Sequence, residues 1–112
     1  MPKVSSKAIS RYAMDAVKLI GMLIHNARVE KGMTIAELAE RAGVSRGLVQ
    51  RTEAGEAGTA IGSVFELAAL VGVSLFELDD KGIARHVRAE RDKVSLLPQS
   101  VRKSSAGVSD DF

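Results

Sequence analysis

Cysteine is absent from the 112 residues. That absence excludes a disulfide framework, a thiolate zinc site, an iron–sulfur cluster and a cysteine nucleophile. It also fits a reducing compartment. A long apolar run is missing too. The most apolar stretch, Val64 to Leu78, is broken by Glu66, Ser74 and Glu77, whereas a spanning helix needs ~18 uncharged apolar residues. The opening MPKVSSKAIS carries basic residues, but neither an apolar block nor a small-residue cleavage site follows. A soluble, cytoplasmic chain is expected, with no membrane contact. Net charge is also scarce: 16 Lys and Arg stand against 14 Asp and Glu, a balance of +2. Taken over the whole chain, that balance points to no class of partner. The length allows one small domain with appendages.

Divided by region, the charge is far from uniform. Residues 1–19 carry Lys3, Lys7, Arg11 and Lys18 against Asp15, a net of +3. Residues 20–80 come to −4 and residues 81–112 to +3. The expected organisation is a basic N-terminal extension (1–19), an acidic domain (20–80) and a basic, partly disordered tail (81–112).

Within the acidic middle, helices alternate with clear breaks. Apolar residues at Val17, Ile20, Leu23, Ile24 and Ala27 predict a helix from about Ser10 to Lys31, which Gly32 ends. Thr34 and Glu37 form a capping-box pattern for a second helix, Ile35 to about Ala42. Gly43 stops that helix, and Ser45 can cap a third, Arg46 to Ala54. Ile61, Val64, Leu67, Ala68 and Val71 trace a fourth helix ended by Gly72, and Ser74 can cap a short fifth around Leu75 to Leu78. Beyond it, Ile83, Val87, Val94 and Leu97 form a weak helical stripe that Pro98 limits. The closing SVRKSSAGVSDDF is polar and expected to be disordered when alone. No run alternates as a strand would, so the fold is all-α.

The second and third helices are joined through Ala39-x-x-x-Gly43-Val44-x-x-x-x-Val49. A small residue at 39 lets the two helices cross closely. Gly43 can take positive φ in the turn. Leu38, Val44 and Val49 point inward and set the crossing angle. This is a helix-turn-helix pattern, whose second helix enters a major groove. TIAELAERAGVSRGLVQRTEAGE resembles the Cro/C1-type (Xre) helix-turn-helix family, over roughly Ile20 to Leu78. The resemblance implies a five-helix, lambda-repressor-like DNA-binding domain, here with an N-terminal helical extension and a flexible C-terminal tail. It places base-reading positions at Arg46, Gly47, Gln50 and Arg51, phosphate contacts at Thr34 and Ser45, and a structural ion pair at Arg28 and Glu53. Arg46 and Arg51 suit guanine O6 and N7, and Gln50 suits adenine. Gly47 leaves one reading position without a side chain.

Four positions depart from the family's pattern. Ile35 stands where a phosphate-touching Gln is common. Thr52 replaces an aliphatic residue, so its hydroxyl needs a partner if buried. Glu56 and Ala57 replace the usual basic residues after Gly55. Competing chemistry has little support. His25 and His86 make a poor metal site without cysteine, and a solvated or packed role suits each better. Gly55-Glu56-Ala57-Gly58 matches a KH-type GXXG, but an all-α chain with Glu inside that loop does not suit a phosphate backbone. No nucleophile–base spacing is recognisable, so neither an enzyme nor a cofactor is expected.

A narrower resemblance covers SRGLVQRTEAGEAGTAIGSVFELAALVGVSLF, which is similar to HipB-like proteins. The tail, with Leu97, Pro98, Val101, Arg102 and the terminal Phe112, is similar to tails of antitoxins encoded beside HipA-type kinases. The resemblance implies a homodimer that binds palindromic operator DNA, represses its own operon and holds a HipA-like kinase toxin. A stand-alone phage-type or metabolic repressor is the alternative. Dimer surfaces could lie on the fourth and fifth helices, with Phe65, Phe76 and Leu78, or on the first helix with Tyr12.

Overall fold

The computed structural model describes residues 9–101. Among them the elements are five α-helices and one 3-10 turn, with no strand. The helices are α1 (Arg11–Glu30), α2 (Ile35–Ala42), α3 (Arg46–Glu53), α4 (Ile61–Leu70) and α5 (Asp80–Leu96). The chain divides into two compact units between Glu77 and Leu78. Lys3, Lys7, Arg102 and Phe112 lie outside the described residues.

Local chemistry sets most boundaries in the first unit. Ser10 caps α1, its hydroxyl accepting from the Ala13 amide at 3.1 Å. The helix then runs through Leu19 and Ile20 without a break. At α2 the capping box is complete: Thr34 Oγ1 accepts from the Glu37 amide at 3.0 Å, and Glu37 Oε1 accepts from the Thr34 amide at 2.8 Å. Gly43 follows with φ of 70°, the left-handed geometry that the turn into α3 requires. Ser45 Oγ accepts from the Leu48 amide at 3.0 Å and starts α3.

The four helices of this unit close on Ile24, Leu38, Val49, Leu67 and Val71, all essentially inaccessible, with Met33, Ala39 and Ala68 around them. One contact fixes where α3 crosses α1. A Cβ placed on Gly21 would lie 2.2 Å from the Thr52 carbonyl oxygen. Only glycine therefore lets the two backbones meet there.

The fifth helix is not where the Ser74 cap places it. Leu75–Glu77 make a single 3-10 turn, with Phe76 and Glu77 at φ of 55° and 58°. Consecutive left-handed residues cannot continue a right-handed helix. The reversal lets Leu75 pack against the core while the Phe76 ring meets Phe65 edge-on at 6.2 Å. The α-helix begins instead after Asp79, whose carboxylate accepts from the Gly82 amide at 2.7 Å. It ends at Leu96, two residues before Pro98.

Candidate nucleic-acid interface

Helix α3 is eight residues long and sharply two-sided. Val49 and Thr52 are buried against the domain, and Leu48 is half-buried. Arg46, Gln50 and Arg51 are exposed on the other side. None of these three side chains has a hydrogen-bond or ion-pair partner among the described residues. Three long polar groups held at one helix surface with no protein partner are free to meet an external ligand. Gly47 stands among them. A Cβ there would come within 3.1 Å of Arg51 Nη1. The missing side chain thus gives the Arg51 guanidinium its place over the first turn of α3.

The two helix starts differ in what they offer an anion. At α3, Ser45 Oγ uses a lone pair on Leu48 and keeps its own O–H to donate. The Arg46 and Gly47 amides, in the first turn, have no intrahelical acceptor. At α2 the Thr34 amide is taken by Glu37. Those hydrogen bonds from Thr34 hold the Glu37 carboxyl below the ordinary carboxylate range, so its negative charge sits at the helix start. The Thr34 hydroxyl is exposed, but the neighbouring carboxylate repels a phosphate. In the loop after α3, Glu56 and Ala57 are exposed and supply no positive charge.

Behind α3 lies a buried polar cluster. Arg28 donates from Nε to Glu53 Oε2 at 2.6 Å and from Nη2 to Oε1 at 2.9 Å. Its Nη1 donates to the Met33 carbonyl at 2.8 Å. The cluster ties the end of α3 to α1 and to the turn before α2. Burial pushes the Glu53 carboxyl up, but hydrogen bonds from Arg28 and His25 outweigh it and leave the group below its ordinary range. The hydrogen bond to Glu53 raises Arg28 further, against the effect of burial.

His25 belongs to this cluster, with Nδ1 2.7 Å from Glu53 Oε1. Sequence reasoning left it as a solvated or packed side chain. The usable signal was its position three residues before Arg28, which puts both on one helix face. Gly21 was missed as well, although a glycine inside a periodic helix is a sign of close approach. The Thr52 hydroxyl is buried without a hydrogen-bond partner.

No group of His, Asp and Glu that could hold a metal occurs among the described residues. None of the described helices is long and apolar enough to cross a membrane. The Helix-turn-helix family matches residues 24–78, from the middle of α1 to just before α5. An uncharacterized HTH-type transcriptional regulator of Sinorhizobium fredii is 37% identical over 65 residues, spanning 58% of this chain and 84% of that protein. The chain belongs to the helix-turn-helix family. No solved structure matches it.

Proposed function

We propose that the chain is a DNA-binding transcriptional regulator that reads a major groove with α3. The observation that carries this reading is the outward face of that helix, where Arg46, Gln50 and Arg51 have no protein partner. Arg46 and Arg51 address guanine edges and Gln50 an adenine or a neighbouring guanidinium. Gly47 lets the helix backbone approach the groove closely. Ser45 and the first α3 amides hold a phosphate that sets the register. Thr34 contributes through its hydroxyl alone. Arg28 and Glu53 fix the angle of α3 and touch no DNA.

One eight-residue helix reads only a few base pairs. A homodimer on a palindromic operator, with half-sites ~34 Å apart or a multiple of that, completes the site. The function is binding without turnover, in the cytoplasm, on nucleoid DNA. The finer reading is an antitoxin that represses its own operon and holds a HipA-like kinase. It is supported by the likeness of residues 45–76 to HipB-like proteins and by the exposure of Leu97 and Val101 after α5. The name of the Sinorhizobium fredii protein, which says only transcriptional regulator, favours a repressor without a toxin partner as the second reading.

Replacing Arg51 with alanine tests the reading face. Operator affinity should fall by roughly 1–3 kcal/mol, with relaxed preference at one base pair and an unchanged fold. Wild-type affinity and preference in the Arg51→Ala protein would show that α3 does not read DNA through this face. A kinase encoded beside the gene, co-purifying with the full chain but not with residues 1–95, would separate antitoxin from stand-alone repressor.

A further inference from the structure

The family match begins at Ile24, yet α1 begins at Arg11. The added helical turns carry apolar side chains that the domain does not bury. Tyr12 is 86% exposed, Leu19 54%, Met22 52% and Leu23 43%. Tyr12, Ala16, Leu19 and Leu23 follow one another at spacings of four, three and four residues, which align them along one helix face. Gly21, where α1 meets α3, is on the far side of the helix from that stripe.

Ala16 also lines an apolar groove of about 390 Å³, walled by Val17, Ile20, Ile61, Val64 and Phe76. At its rim Ile61 is 69% and Phe76 75% exposed. Phe76 is held there with φ of 55°, a conformation that disfavours any residue with a β-carbon. Apart from its edge-on contact with Phe65, the Phe76 ring has no aromatic partner among the described residues and stays largely exposed.

We infer that the extended α1 and the rim beside it form the contact with a second copy of this chain, the two α1 helices lying antiparallel across a two-fold axis. The inference rests on the dimeric reading given above and names the surface that reading requires. Two features commit the face to a second copy. The four-three-four spacing is the same read from either end. An antiparallel pair centred between Val17 and Lys18 therefore sets Tyr12 against the other copy's Leu23, and Ala16 against its Leu19. The small Ala16 lets the axes approach.

The area is also adequate. With roughly 200 Å² for a large side chain in full exposure, Tyr12, Leu19, Leu23, Ile61 and Phe76 offer on the order of 650 Å² per copy, approaching the ~800 Å² per partner of a stable interface. The pairing leaves the outward face of α3 uncovered, because α3 packs on the opposite side of α1.

Sedimentation equilibrium of the full chain without DNA, over a range of concentrations, tests the inference. The wild type should be a dimer. Leu19→Glu, at an exposed helix position, and Phe76→Asn, which suits the left-handed backbone, should each raise the dimer dissociation constant at least tenfold. Thermal unfolding at a concentration where all proteins are monomeric checks that both variants fold, and Phe76→Asn should unfold no earlier than the wild type. Leu97→Glu, beyond α5, should leave the dissociation constant unchanged. A monomeric wild type, or a dimer that survives both substitutions in the α1 surface, overturns the inference. Operator binding is measured separately. A dimer weakened by both substitutions in a chain that binds no DNA supports this surface and removes the regulatory reading. DNA binding by a chain whose dimer survives both leaves that reading intact and removes this surface.

Discussion

Helices α1 and α5 are of similar length, 20 and 17 residues, and are held in place by different means. Helix α1 buries Gly21, Ile24 and Arg28 and packs against α3 and α4. Helix α5 buries only Gly82, and almost every other position on it is exposed. Its support is local: the Asp79 cap, Asp80 in the first turn, Lys93 in the last, and a Glu90–Lys93 pair at 3.3 Å. Each such term is worth about 1 kcal/mol or less. Tertiary burial outweighs them in α1, where one fully buried aliphatic side chain contributes roughly 1.5–3 kcal/mol. A substitution in α1 should therefore move the cooperative unfolding of the domain, whereas one in α5 should change helix content alone.

The largest expected effect is at Arg28. Replacing it with alanine leaves Glu53 buried without its main partner, together with the Met33 carbonyl. Breaking a buried pair of this kind costs about 3–5 kcal/mol, read as a lower urea midpoint. The pH dependence has a definite sign. Glu53 is held below its ordinary range in the folded protein, so its stabilisation is fully present above that range and disappears as pH falls through the depressed value. Acid sensitivity in that window should diminish in Glu53→Gln. An unchanged acid limb would place the sensitivity on other carboxylates.

The two buried helical glycines give the most direct contrast between the units. Gly21→Ala drives a methyl into the Thr52 carbonyl oxygen. Backbone on both sides leaves little room to yield, and destabilisation of about 3 kcal/mol is expected. Gly82→Ala meets the Asp79 carboxylate at 3.1 Å and the Leu78 side chain at 3.2 Å. Side chains can shift, and alanine favours a helix by about 1 kcal/mol over glycine, so the net change should stay within ~1 kcal/mol. Equal losses at the two positions, measured by urea unfolding and by helicity, would abolish the distinction drawn between α1 and α5.

Legibility in the sequence followed the same divide. The caps of α2 and α3 could be read from Thr34 and Ser45 because a side-chain cap is a local hydrogen bond. The inward positions Leu38, Ala39 and Val49 were legible through spacing. What was missed depended on distant partners. Phe76 and Glu77 turn left-handed where Leu75 packs against the core and Phe76 meets Phe65, and no local signal records that. The start of α5 was obscured by Gly82 in its first turn, which resembles a breaker but tolerates the helix at small cost. On the candidate interface, the outward side chains were legible through the resemblance to the Cro/C1-type family, and Arg46, Gln50 and Arg51 are indeed exposed on α3. The commitment of the Thr34 amide to Glu37 was also latent in the capping box, although its effect on phosphate binding needed the geometry.

The smallest expected effect sharpens the account of the packed unit. Thr52 is 3% exposed, and its Oγ1 has no hydrogen-bond partner. A buried hydroxyl left unpaired costs about 1–3 kcal/mol, while its methyl group and β-branching suit the site. Thr52→Val keeps shape and branching and removes only the unpaired group, so it should stabilise the domain by about 1 kcal/mol. The gain should appear as a higher urea midpoint at unchanged slope, with the exposed face of α3 unaltered because the side chain is buried away from it. A loss of stability instead would show that the hydroxyl is hydrogen-bonded in solution. The close approach of Gly21 to the Thr52 carbonyl would then be part of a polar contact between α1 and α3, in addition to their steric fit.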